Sequence, residues 1–103
     1  SVPKDDQIII KAKSDRLYSA ILRAQIKEQM KPASAVLILA GVYASYSTSI
    51  DMEIEVAKEL EKPIIAIEPF ASERTSWVVK SNADEVVSWN TSSIVDAIRR
   101  NSL

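Results

Sequence analysis

Two short, uninterrupted apolar runs constrain this chain most: "AVLILAG" at residues 35–41 and "PIIAIEP" at 63–69. Neither alternates as a strand with one wet face does. Such runs fit strands covered on both faces, as in a parallel sheet. Prolines bracket the second run at positions a strand tolerates. Helical patterns lie around them. Residues 14–31, "SDRLYSAILRAQIKEQMK", repeat Leu17, Ile21 and Ala24 on one face, with Ser14 as N-cap and Pro32 beyond the end. Residues 48–62, "TSIDMEIEVAKELEK", form a second helix, with Thr48 and Asp51 resembling a capping box. A short helix follows within 72–83, a third strand at 84–89 ("DEVVSW") and a closing helix at 91–101. Arg99 and Arg100 suit the negative end of that last helix. Strands alternating with helices predict an α/β fold with a parallel sheet and right-handed crossovers. The N-terminal "SVPKDDQIIIKAK" reads less regularly: "QIII" has strand character, whereas "VPKDD" reads as a loop.

At 103 residues the chain is one domain, 1–103, with 47% hydrophobic and 26% charged residues, a globular balance. Its net charge of −1 carries no basic block, so nucleic acid is not an expected partner. No apolar run is long enough to span a bilayer, and the opening residues lack a signal-peptide pattern. With no cysteine, thiol chemistry and disulfides are excluded; with no histidine, so are His-based triads. These features lead us to expect a cytoplasmic protein. Gly41 is the only glycine, which rules out a Walker loop or a GxGxxG turn. Asp5 and Asp6 are read as solvated rather than as metal ligands, because a hard cation needs more oxygens than a pair of acids supplies. No metal site is expected.

One carboxylate stands out. With Ile50 set at zero on an ideal helix, Ile54 falls at about +40°, Ala57 at about −20°, Leu60 at about −80° and Glu53 at about −60°. Glu53 therefore lies inside the apolar arc, while Asp51, Glu55, Lys58 and Glu59 lie outside it. It also lies near the helix start, beside the loop leaving the first strand. In open α/β sheets ligands bind at that carboxyl edge. A carboxylate near a helix N-terminus is favoured by the dipole as well, so a purely structural role stays open. Glu68, ending the second strand, points to the same edge and can share the crevice. Tyr43 and Tyr46 follow Gly41 in the crevice loop, where they can stack on a flat ring or cover the helix start. Arg74 lies in a segment that can act as a lid or as a plain connector. Trp77 is read as a core or interface anchor before a base-stacking residue. Asn90 or Thr91 caps the last helix.

The segment "YSTSIDMEIEVA" resembles the part of TIR domains where a serine, an aromatic, a small residue and a glutamate open a helix. "ASAVLILAGVYA" before it, "KPIIAIEPF" after it and "ADEVVSWNTSSIVDAIR" at the end extend the resemblance across residues 33–99. The closer similarity is to TIR-like proteins with a flavodoxin-like fold, including those of Thoeris anti-phage systems. That resemblance implies a three-layer parallel sheet of about five strands. It implies that Glu53 is the glutamate supporting cleavage of the nicotinamide–ribose bond of NAD, and that Ser47 is the serine ahead of the helix. It implies a nucleotide site formed with Gly41, Tyr43, Tyr46, Ser47 and Glu68, NAD as substrate rather than bound cofactor, and an ADP-ribose-type signal as product. Ser49 stands where many relatives carry tryptophan. Nothing in the chain matches the family's first strand, so an N-terminally incomplete sheet is expected. A non-catalytic TIR-like module that self-associates or docks a partner protein is the alternative. A nucleoside-deoxyribosyltransferase-like domain ranks lower, because its Tyr and Asp pattern is not evident.

Overall fold

The computed structural model describes residues 15–41, 48–69 and 75–102. In order these form α1 (Asp15–Met30), β1 (Val36–Leu39), α2 (Thr48–Glu59), β2 (Ile64–Glu68), α3 (Trp77–Asn82), β3 (Glu85–Ser88) and α4 (Thr91–Asn101). The strands make one parallel sheet in the order β1-β2-β3. Val36 pairs with Ile64 and Leu39 with Ile67; Ile65 pairs with Glu85 and Glu68 with Ser88. The expected alternation of strands and helices is thus present, with three strands among the described residues. "QIII", at 7–10, lies outside them, as do Asp5, Asp6 and Ser14.

One face of the sheet holds the larger core. Ile38, Ala40, Ile64 and Ala66 meet Met30 of α1, Ile54, Val56 and Ala57 of α2, and Val79 of α3. On the other face Ile65, Ile67 and Val87 meet Ala97 of α4, with Ile94 and Ile98 beside them. Ile64 and Ile65 are both essentially inaccessible and face opposite sides, so β2 is covered twice over. Burying each isoleucine contributes about 1.5–3 kcal/mol. Asp84 sets the start of β2: its Oδ2 accepts the Ile64 N–H at 2.7 Å, and its own N–H donates to the Ile64 carbonyl at 2.8 Å.

Two expectations change. β1 is not covered on both faces: Ile38 is buried, but Leu37 and Leu39 are 42% and 52% exposed. The reason is position, since among the described residues β1 is the edge strand and α4 covers the sheet over β2 and β3. The Leu17–Ile21–Ala24 face of α1 is not the seated one either; all three residues are exposed. Ile26 and Met30 hold the C-terminal half of α1 on the core instead. Salt bridges pin its polar flank to α2: Arg23 to Glu55 at 2.9 Å and to Glu59 at 2.8 Å, and Lys27 to Glu59.

The helix ends follow local chemistry. Asn90 caps α4, its side chain accepting the Ser93 N–H at 3.1 Å. α3 is shorter than its pattern suggested and starts after Ser76, which is 1% exposed and accepts the Val79 N–H at 3.3 Å. At the end of α2, Lys62 N–H donates to Ala57 O at 2.8 Å and Glu61 N–H to Lys58 O at 3.1 Å. That bond pair is a Schellman closure. It places Glu61 at φ 56°, where glycine is the usual residue.

Candidate functional site

The site is built around α2. Among the residues of this helix, Ile54, Val56 and Ala57 are buried, while Ile50, Met52 and Leu60 are partly buried against the same core. With Ile50 at zero, this set runs from about −160° at Met52 to about +40° at Ile54. Glu53, at about −60°, bisects it. Within the first two turns a carboxylate therefore stands between core-facing Ile50, Met52 and Ile54. It remains only partly buried because it sits near the helix start. α2 enters from the carboxyl end of β1, so the Glu53 end of the helix lies toward that edge of the sheet.

Burial pushes the Glu53 carboxyl up from its ordinary value of 4.5. Desolvation is the cause, because water is withdrawn from the charged form. No described residue offsets that with a hydrogen bond or an ion pair to Glu53. The neighbouring acids differ. Glu59 is held below its ordinary value by hydrogen bonds from Lys27 and Arg23, and both groups are at the surface. One helix thus carries two kinds of glutamate: structural ones tied to α1, and one that no other described residue pairs with.

A second group of polar atoms gathers where β1 and β2 end. Gly41 forms an isolated antiparallel bridge with Thr75, and the Ser76 N–H donates to the Ala40 carbonyl at 2.8 Å. The chain entering α3 therefore crosses the carboxyl end of β1. Lys80 ties this crossing down: its Nζ donates to Glu68 Oε2 at 2.7 Å and to Thr75 Oγ1 at 3.0 Å. Glu68 does reach the carboxyl edge, but as the partner of a lysine. Gly41 lies there too. It has no positive φ, and a Cβ on it would stand 3.5 Å from Pro69 Cγ, an ordinary contact. Its backbone bridge, rather than any need for glycine, is what the described residues reveal.

Sequence reasoning missed Lys80 and Thr75. A signal existed, because helical side chains lean toward the N-terminus. A lysine four positions after the Ser76 cap therefore reaches back over the start of α3. Trp77 was expected to anchor a core or an interface; at 77% exposure it belongs to no core. Tyr43, Tyr46, Ser47 and Arg74 lie outside the described residues. Glu53 lines neither of two open grooves between described residues. One, lined by Lys58, Glu61, Lys62, Pro63, Ile64 and Asp84, is at the opposite, amino edge of the sheet. The other runs between α2 and α3, past Asp51, Glu55 and Asn82. Neither gathers the groups that a reaction at the carboxyl edge needs. Among the described residues no cluster of His, Cys, Asp or Glu suits a metal ion. No described helix is long and apolar enough to cross a membrane.

None of the curated proteins compared with the chain matches it. A protein family does. The description "Thoeris protein ThsB, TIR-like domain" matches residues 3–74, which include α1, β1, α2 and β2 along with Gly41, Glu53 and Glu68. The match begins well before residue 33, where the sequence resemblance starts, and it ends before the closing "ADEVVSWN" block. With most of its length matched, and with a parallel sheet flanked by helices, the chain belongs to the TIR-like domain family of the Thoeris protein ThsB.

Proposed function

We propose that this domain binds NAD at the carboxyl edge of its sheet and cleaves the nicotinamide–ribose bond, with Glu53 as the catalytic carboxylate, in anti-phage defence. One observation carries the reading: a desolvated carboxylate at the centre of α2's core-facing arc, without a compensating partner among the described residues. Such a group costs stability, and perturbed acids of this kind cluster at functional sites.

The chemistry uses the ionised form. The C1′–N bond of the ribose breaks, and its electron pair leaves with nicotinamide as a neutral base. Positive charge develops on the ribose ring, and a fixed carboxylate in a poorly hydrated setting stabilises it. A nucleophile then attacks C1′: water gives ADP-ribose and releases a proton, and a hydroxyl of the same molecule gives a cyclic product. Gly41, Tyr43, Tyr46 and Ser47 are assigned to holding the nucleotide, with Glu68 fixed by Lys80 at the rim. Thermal denaturation with and without NAD tests binding separately from turnover. The melting temperature of the wild type and of Glu53→Gln should both rise with NAD, since a ligand held by the native state alone stabilises it. No rise in either protein removes the nucleotide from the account.

The non-catalytic alternative has its own supporting observation. Among the described residues β1 has no strand beyond it and Leu37 and Leu39 are exposed, a surface suited to association.

A further inference from the structure

Glu68 is the last residue of β2, and the ladder fixes where it stands. Ala40 N–H donates to Ile67 O at 2.8 Å, so in a parallel pair the Ala40 carbonyl would next accept the N–H of residue 69. That residue is Pro69, which has no N–H. The Ser76 N–H takes the carbonyl instead, at 2.8 Å. The ladder to β1 therefore stops beside Glu68, and the start of α3 is drawn over the same end of the sheet.

Alternation gives the face. Ile65 and Ile67 belong to the α4 side, Ile64 and Ala66 to the larger core. Glu68 follows Ala66 onto the side covered by α2 and α3. Its bond to Lys80 of α3 agrees with that. Glu53 comes to the same face from α2, toward the same carboxyl edge. Two carboxylates thus share one end of one face in different surroundings. No described residue pairs with Glu53, whereas Glu68 Oε2 accepts from Lys80 Nζ at 2.7 Å. Lys80 is held in turn by Thr75 Oγ1 at 3.0 Å. Glu68 Oε1 has no partner among the described residues, and the side chain is 34% exposed. The carboxylate is fixed through one oxygen and leaves the other to accept.

A positioned anionic acceptor at the carboxyl end of a parallel sheet suits a sugar hydroxyl; in dinucleotide sites an acid there takes the ribose 2′-hydroxyl. NAD has two riboses, and charge chooses between them. Loss of nicotinamide builds positive charge on one, which the Lys80 ammonium beside Glu68 opposes. The adenosine ribose stays neutral throughout. Resting on the NAD reading above, we infer that Glu68 Oε1 accepts a hydrogen bond from the 2′-hydroxyl of the adenosine ribose, that Lys80 positions this carboxylate, and that the site takes NAD and rejects NADP. NADP carries a phosphate on that hydroxyl, which removes the donor and brings like charges together.

Titration of the whole chain with NAD and with NADP tests this, in a Glu53→Gln background so that nucleotide is not consumed. Binding should favour NAD at least ~10-fold. Adding Glu68→Gln should bring the preference below ~3-fold or reverse it, because the repelling charge is gone and Lys80 is free to pair with the phosphate. Lys80→Met should weaken NAD binding, and Lys80→Arg should restore it. A purely structural pair would lower both affinities together and leave their ratio alone. Equal binding of the two nucleotides before Glu68 is changed, or an unchanged ratio in a folded Glu68→Gln protein, overturns the inference and leaves NAD at the site. Binding of neither nucleotide, to this protein or to the wild type, overturns the NAD reading and the inference with it.

Discussion

Glu53 and Ala57 stand one turn apart on the same arc of α2, yet Ala57 has no accessible surface and Glu53 is only partly buried. The difference is depth: Ala57 lies over the middle of the sheet and Glu53 toward its carboxyl edge. A pure packing surface would place an apolar residue at both positions. The carboxylate is therefore a local cost to the fold, and that cost is testable.

The first prediction follows from the raised pKa of Glu53. Its proton is held more tightly in the folded chain than in the unfolded one. The stability attached to this group is fully present below the ordinary value of 4.5 and is lost as pH rises through the raised folded value. Glu53→Gln removes the titration. Denaturant unfolding across that pH window should show the wild type losing stability relative to Glu53→Gln as pH rises, with a constant difference above it. The proposed NAD cleavage would have the opposite dependence, because it needs the ionised carboxylate.

A second pH effect has the reverse sign. Glu59 is held below its ordinary value by Lys27 and Arg23. Its stabilising share is present above the unfolded pKa and is lost as pH falls through the depressed one. Melting curves of Glu59→Gln should lack this acid-side loss. The wild-type advantage should also shrink in high salt, since the pairs joining α1 to α2 lie at the surface.

Glu61 offers a stabilising change. It occupies the left-handed position of the Schellman closure after α2, with φ 56°. Glu61→Gly relieves that conformation while making the unfolded chain more flexible. The net gain should be about 0.5–1 kcal/mol in denaturant unfolding, with Glu61→Ala giving none of it.

The Lys80–Glu68 pair should be modest in energy and specific in place. Both side chains are 34% exposed, so a double-mutant cycle should give a coupling of about 0.5–1 kcal/mol, reduced by salt. Lys80→Met should also speed amide exchange at Ser76, whose N–H joins the chain entering α3 to the end of β1.

What was legible in the sequence followed from periodicity. The "IIAI" of β2 reads as a strand buried on both faces, and Ile64 and Ile65 confirm it. Glu53's place in the apolar arc of α2 follows from 100° per residue alone. Periodicity fails where the partner is remote. Nothing local distinguishes the β1 run from the β2 run; β1 differs because it is at the edge of the three described strands, which is a property of the sheet. Leu17, Ile21 and Ala24 form a sound helical stripe, yet Ile26 and Met30 are the residues that meet the core. The Gly41–Thr75 bridge joins backbone positions with no side-chain signature, so the polar cluster it brings together was not readable either.

The most direct test of the central claim is nicotinamide release from NAD by this chain, measured beside Glu53→Gln at matched folded concentration. The account predicts release by the wild type and a loss of at least ~100-fold in Glu53→Gln, with folding intact. Equal release by both proteins, or none by a folded wild type at high concentration, would contradict it.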